Sequence, residues 1–221
     1  MIPDKSASSC KGKCLMGKSY CKIIASLLII VIFSLALWFY INNNSHKHQN
    51  DIEKENFAKA LDFFHNNKLD DALVAFNKVL SQDNKTYSSL SQMYVASILE
   101  ATGDTKKAVE KFLQVANNKL SPSILRYTAT LHAAWILVDT ESYDDISKIL
   151  KELIDPSNPM RQSANEILGI SALKSGDIEK AKAIFEEIIN DQNSPPGVAT
   201  RTQMILANII ASDHGNKTIK K

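Results

Sequence analysis

Downstream of residue 50 a short pattern returns four times, and that recurrence restricts the fold more than any other feature of the chain. It reads Leu69-Asp70-Asp71-Ala72-Leu73-Val74-Ala75-Phe76, then Gly103-Asp104-Thr105-Lys106-Lys107-Ala108-Val109-Glu110-Lys111-Phe112. It returns as Gly176-Asp177-Ile178-Glu179-Lys180-Ala181-Lys182-Ala183-Ile184-Phe185, with a weaker copy at Tyr143-Asp144-Asp145-Ile146-Ser147-Lys148-Ile149-Leu150. Positions 72, 108, 146 and 181 stand 36, 38 and 35 residues apart. Periods of this length point to stacked supersecondary units, each burying its apolar face against the next.

A second regularity supports the first. Twelve residues before each key position lies a small residue: Ala60, Ala96, Ala134 and Gly169. If each unit is a pair of helices, the small residue on the first and the alanine on the second mark where the axes cross. A larger side chain there would hold the helices apart. Phe76, Phe112, Leu150 and Phe185, four residues beyond the key position, fall on the same helical face and fill the space to the neighbouring unit. Gly103 and Gly176 suit the left-handed residue that ends a helix, and Asp104 and Asp177 suit the N-cap of the next.

This arrangement resembles the tetratricopeptide repeat (TPR), a helix-turn-helix unit of about 34 residues. It predicts an all-α fold, a TPR α-solenoid of about four helix pairs plus a C-terminal capping helix. The helices are expected near 51–66, 69–81, 86–102, 105–118, 122–140, 143–153, 159–174, 178–190 and 196–211. Pro122, Pro159 and Pro196 fall near helix starts, where a missing N–H is harmless. The last helix has no partner and is read as the cap. Residues 212–221 are polar and read as a disordered tail.

Upstream, Ile23 to Ile41 is a run of 19 residues without a charge. As a helix it would span roughly 28 Å, close to the hydrocarbon thickness of a bilayer. Trp38 and Tyr40 sit where an interfacial aromatic belt would lie. The bulky Trp38-Phe39-Tyr40-Ile41-Asn42 offers no small-x-small site for signal cleavage, so the run reads as a transmembrane helix at 23–41. Residues 8–22 carry four lysines and residues 42–56 carry two, Lys47 and Lys54. That bias places the 1–22 tail in the cytoplasm and the repeat domain, 51–211, across the membrane beyond a polar tether at 42–50.

Composition narrows the function. From Asn42 onward 21 basic side chains face 23 acidic ones, which leaves no strongly basic face for nucleic acid. Cys10, Cys14 and Cys21 all precede the apolar run, and no second pair or nearby histidine completes a metal site, so they read as reduced thiols. His46 and His48 form an H-x-H pair without an acidic or cysteine neighbour and read as solvated tether. His65 and His132 lack spaced partners and read as ordinary, partly buried helix residues. Phosphate-loop, nucleophile-elbow and zinc-helix motifs are missing. The expectation is therefore a protein that is no enzyme, holds no cofactor and no metal, and takes no small-molecule substrate.

What remains is protein binding. In a helical-repeat stack the first helices line the concave face. The register projects Lys54, Phe57, Leu61 and Phe64 onto it, then Met93, Ser97 and Glu100. Leu131, Trp135 and Val138 follow, then Glu166, Ile170 and Leu173. Several are large and apolar, which suits a groove for a hydrophobic or extended polypeptide. The competing reading for Phe57, Trp135 or Ile170 is core packing beneath a neighbouring helix.

An anchor is followed by Phe57-Ala58-Lys59-Ala60-Leu61, Thr86-Tyr87-Ser88-Ser89-Leu90, Leu125-Arg126-Tyr127, Ala164-Asn165-Glu166-Ile167-Leu168-Gly169 and a closing Pro196-Gly197…Arg201. In that order these segments resemble the YfgM-like family of TPR proteins, ancillary subunits of the bacterial SecYEG translocon. The resemblance implies a single-pass inner-membrane protein with a periplasmic domain, whose partners are translocon subunits, periplasmic chaperones or exported polypeptides. It carries no catalytic residue across. The Lys-, Ser- and Cys-rich segment before the anchor departs from the family pattern. Two other classes stay open: a structural scaffold for an envelope or respiratory complex, and an enzyme or metal-binding protein carried only by His46, His48 and the N-terminal cysteines.

Overall fold

The computed structural model describes residues 31–40, 51–82 and 86–219. The chain divides into two compact units, Met1–Ile52 and Glu53–Lys221. In the first, residues 31–40 are helical and expose their large apolar side chains. Among the described residues no helix is long and apolar enough to cross a membrane. Residues 23–30 and 41 of the expected anchor lie outside the described residues, as do Cys10, Cys14, Cys21, His46 and His48.

From residue 51 onward the described residues form a run of helices, all but the first two residues of which belong to the second unit: α1 (51–65), α2 (Leu69–Leu80), α3 (Ser88–Ala101), α4 (Thr105–Asn117), α5 (Ser123–Leu137), α6 (Tyr143–Leu150), α7 (Arg161–Lys174), α8 (Ile178–Asn190) and α9 (Pro196–Ile219). All nine match expected helices. Three ends move by three residues or more: α5 stops at Leu137, α6 stops at Leu150, and α9 continues eight residues past 211, so residues expected as a polar tail prolong the helix.

The turns inside the pairs follow the punctuation of the sequence. Gly103 (φ +86°) and Gly176 (φ +84°) end α3 and α7 in the left-handed region, and Asn67 (φ +58°) does the same after α1. Each is locked by the same two bonds. The residue's own N–H donates three residues back, and the following N–H donates five residues back: Lys68 to Phe63 at 2.9 Å, Asp104 to Leu99 at 2.8 Å, Asp177 to Ala172 at 3.0 Å. Asp104 and Asp177 then cap α4 and α8, accepting from the N–H of Lys107 and Lys180. The third pair lacks the glycine and uses Ser142 to cap α6.

Packing follows the repeat. Ala60, Ala72, Ala96, Ala108, Ala134 and Ala181 are fully buried at the crossings, as are Phe76, Phe112, Leu150 and Phe185 beside them. Each helix packs on its neighbours in sequence, and α3 also touches α5, α5 touches α7, and α7 touches α9. The odd-numbered helices thus form one continuous layer. The even-numbered helices form the other. Four apolar clusters lie between the layers, one after another along the stack.

The aromatic residues show how one pair is joined to the next. Phe76 stacks on Tyr94 of α3 (4.9 Å, 2°), and Phe112 stacks on His132 of α5 (5.0 Å, 10°). Tyr94 and His132 occupy equivalent places in their helices. Gly169 meets a different arrangement. A Cβ built there would lie 2.2 Å from Cε1 of Phe185, so the ring rests directly on the glycine.

Candidate protein-binding face

The odd layer is where the register placed a binding face, and the structure sorts those residues into rows. Leu61, Ser97, Trp135 and Ile170 are equivalent in successive odd helices and form one row. Trp135 is 39% exposed, and the other three are half-buried. A second row, one turn earlier, consists of Phe57, Met93, Leu131 and Glu166. Phe57 and Met93 are buried, Leu131 is half-buried against the core, and Glu166 is 2% exposed. At the helix ends, Glu100 is exposed, Phe64 and Leu173 are half-buried, and Val138 is buried; Lys54, at the opposite end of α1, is exposed.

Phe57, Met93, Val138 and Glu166 are therefore corrected from groove residues to core. The reason is the same for the first two. The next odd helix lies against that row: Tyr87 stacks on Phe57 at 4.8 Å, and Met93 belongs to a cluster with Ala129 and Ala133 of α5. Phe64 is drawn in likewise, edge-on to Tyr94 at 5.1 Å. Val138 joins the cluster containing Ile146 and Leu150.

Glu166 is buried for an electrostatic reason. Arg201 of α9 lays its guanidinium across the carboxylate, with Nε donating to Oε1 (2.8 Å) and Nη2 donating to Oε2 (2.7 Å). The hydrogen bond to the carboxylate holds the Arg201 guanidinium above its ordinary pKa. A two-pronged, charge-assisted contact of this kind fixes orientation as well as distance. Residue 201 follows 166 by 35, so the pair joins equivalent positions of consecutive odd helices. Asp139 and Lys174 form a second ion pair across the same interval. Opposite charges one repeat apart were the signal that sequence reasoning overlooked. The register also makes α9 a fifth odd helix without an even partner, with Val198 and Ile209 packed beside Phe185.

The chemistry of the face follows. Lys174 and Arg201, two of its cations, are committed to acids of the preceding repeat, Asp139 in the turn after α5 and Glu166 in α7. The open row around Trp135 offers mainly apolar contact, suited to a polypeptide with apolar side chains. Deeper clefts lie elsewhere. One of about 580 Å3 is bounded by Tyr127, Ile149, Glu152 and Asn158, beside the short α6. His132 is spent on Phe112, and His65 is exposed beside Phe64. Among the described residues no three His, Cys, Asp or Glu side chains are grouped to hold a metal ion.

The profile of the tetratricopeptide repeat-like domain family matches residues 18–211. The chain belongs to that family. The TPR-like repeats of a putative kinesin light chain from Podospora anserina share the fold, with a TM-score of 0.51 and 16% identity over 76% of this chain and 89% of that one. A second structure of those repeats gives a TM-score of 0.50 at the same identity and coverage. No curated protein matches the chain. Membership of the TPR-like family and this fold identify a protein-protein interaction module, as the sequence led one to expect.

Proposed function

We propose that this TPR-like chain is an accessory factor of bacterial protein export, held at the inner membrane by residues 23–41. Its N-terminus lies in the cytoplasm and its repeat unit in the periplasm. The open row of the odd layer engages translocon subunits, periplasmic chaperones or an emerging polypeptide. The observation that carries the binding role is Trp135, a large aromatic side chain 39% exposed in a layer whose neighbouring row is buried or half-buried. Aromatic anchors of this kind dominate binding energy in protein interfaces. The family match begins at residue 18 and so takes in the apolar run, which supports reading anchor and repeats as one functional design. Tethering raises the local concentration of the face at the membrane without any catalytic step.

The test is photo-crosslinking in native membranes from a photoreactive amino acid at position 135 or 97, followed by mass spectrometry. Crosslinks to translocon subunits, chaperones or many exported chains are expected. One stoichiometric partner outside that machinery would replace the export role with a scaffold role, and crosslinks confined to the chain itself would remove the face. Alkaline phosphatase fused after Lys221 is expected to be active; an inactive fusion would reverse the orientation.

A further inference from the structure

The last helix, α9, is patterned on two opposite sides. Val198, Thr202, Ile205 and Ile209 stand 4, 3 and 4 residues apart. Val198, Thr202 and Ile209 are buried, and Ile205 is half-buried against the cluster around Phe185. Thr200, Met204, Ala207 and Ala211 repeat the same spacing on the other side. All four are exposed, Met204 by 56%, and Ile210 beside them by 44%. Such a spacing is the seam by which one helix packs along another, and a helix largely apolar on both sides is built to be covered on both. Among the described residues only the inner seam is covered.

The outer seam also breaks the rule of the repeat. Met204 follows Gly169 by 35 residues and so holds the crossing position, where Ala60, Ala96, Ala134 and Gly169 are all buried. Methionine there holds off an even helix of the usual kind, which carries phenylalanine or leucine four residues past its own crossing position. A helix that packs on this seam must bring a small residue to Met204. It must also be uncharged where it touches. Residues 196–212 carry one charged side chain, Arg201, already committed to Glu166. By contrast, α4 carries Lys106, Lys107, Glu110 and Lys111. A charge set against the outer seam would lose water and gain no partner.

We infer that the outer seam of α9 binds the same seam of a second copy of this chain, the two helices running antiparallel about a two-fold axis. Met204 then faces Ala207 of the second copy and Thr200 faces its Ala211, and symmetry makes each contact twice. Every layer joins a larger side chain to a smaller one, which is how helices interdigitate without voids. Parallel helices would set Met204 on Met204 and Ala207 on Ala207, crowding one layer and emptying the next. The other end of the stack is a poor partner. Its cleft between α1 and α2 offers Phe63 and Val74 but also Lys59, Asp71 and Lys78, charges that the seam cannot answer. Four layers make an interface below the standard size of about 1,200 Å2, so association rises with concentration. The contact needs neither the anchored reading of residues 23–41 nor the row around Trp135.

The test uses the full chain with Cys10, Cys14 and Cys21 changed to serine and one new cysteine, at Thr200, at Ala211 or, as a control, at the exposed Lys106 of α4. Purified variants, one of each pair carrying a bulkier tag, are mixed in detergent at rising concentration and oxidised, and disulfide-linked dimers are separated by size. Thr200→Cys mixed with Ala211→Cys is expected to give mixed dimers whose yield grows with concentration. Either variant alone should stay at the Lys106→Cys level. Adding Met204→Glu sets an unpaired carboxylate into the seam and should cut the yield about tenfold, with the helical circular dichroism unchanged because Met204 is exposed. Dimers of Thr200→Cys alone and of Ala211→Cys alone would mean parallel helices and overturn the pairing. A mixed yield no higher than that of Lys106→Cys, or one indifferent to Met204→Glu, would remove the interface.

Discussion

Replacing Gly169 with alanine adds one methyl group at the tightest crossing in the stack. Its Cβ would lie 2.2 Å from Cε1 and 2.8 Å from Cδ1 and Cζ of Phe185, a ring with no exposed surface. Two effects oppose each other. Alanine in a helix interior is favoured over glycine by about 1 kcal/mol. Overpacking a close-packed core costs about 1–3 kcal/mol, and a contact this short on a fully enclosed ring lies toward the upper end. The net expectation is a loss of about 1–2 kcal/mol, lowering the thermal midpoint by roughly 2–8 °C for a domain of this size. The neighbouring pairs explain why only this site needs glycine. Phe76 and Phe112 stack on Tyr94 and His132, and in those pairs Ala60 and Ala96, both fully buried, stand at the crossing that Gly169 occupies here. The third pair combines Ala134 with Leu150, both fully buried. Gly169→Ala with Phe185→Leu rebuilds that combination. In the Phe185→Leu background the alanine should therefore stabilise, so the sign of its effect reverses, with a coupling of at least about 1 kcal/mol. Thermal unfolding of wild type, both single variants and the double variant, followed by circular dichroism, measures this. A Gly169→Ala protein that melts at or above wild type would refute the packing argument, as would a cycle that closes with no coupling.

Three further outcomes are expected. Arg201→Ala leaves the Glu166 carboxylate buried without its partner and should cost about 2 kcal/mol in urea unfolding, with amides of α9 exchanging first. That is less than the ~3–5 kcal/mol for a fully buried pair because the Arg201 side chain is 54% exposed; an unchanged midpoint would show that water replaces it freely. Asn67→Ala should destabilise by about 1 kcal/mol and Asn67→Gly should not, since only the alanine pays for φ +58°; equal stabilities of the two variants would contradict this. Finally, four aspartates are held below the ordinary range: Asp104 by the Lys107 ammonium, Asp145 by the Ser142 hydroxyl, Asp155 by Ser157 and Asp191 by the N–H of Asn193. A carboxylate whose folded pKa is depressed adds stability above its unfolded value of about 3.9, and that stability is lost as pH falls through the folded value. The melting temperature should accordingly decline as pH drops below about 4, and a flat or rising profile there would contradict the sign.

The repeat period, the crossing positions, the left-handed glycines and their aspartate caps were all legible in the sequence. They are properties of a segment and its own neighbours: helical spacing, a missing Cβ, an oxygen three residues from an unpaired N–H. The binding face was legible only as a set of register positions. Trp135 kept its exposure, whereas Phe57 and Met93 lost theirs because Tyr87 and α5 lie over them. Asn67 took the conformation given elsewhere to Gly103 and Gly176, which its type permits but does not announce.

By itself, then, the sequence determined that the chain builds helix pairs, where each pair crosses and how each turn is closed, because these follow from helical spacing and from residue types that return with every repeat. Only the tertiary structure decided which projected residues meet solvent, that Glu166 belongs to Arg201, and that Phe185 rests on Gly169. Those outcomes depend on how far one helix slides and tilts against the next, and a displacement of an ångström or two moves a side chain from an open row into the core.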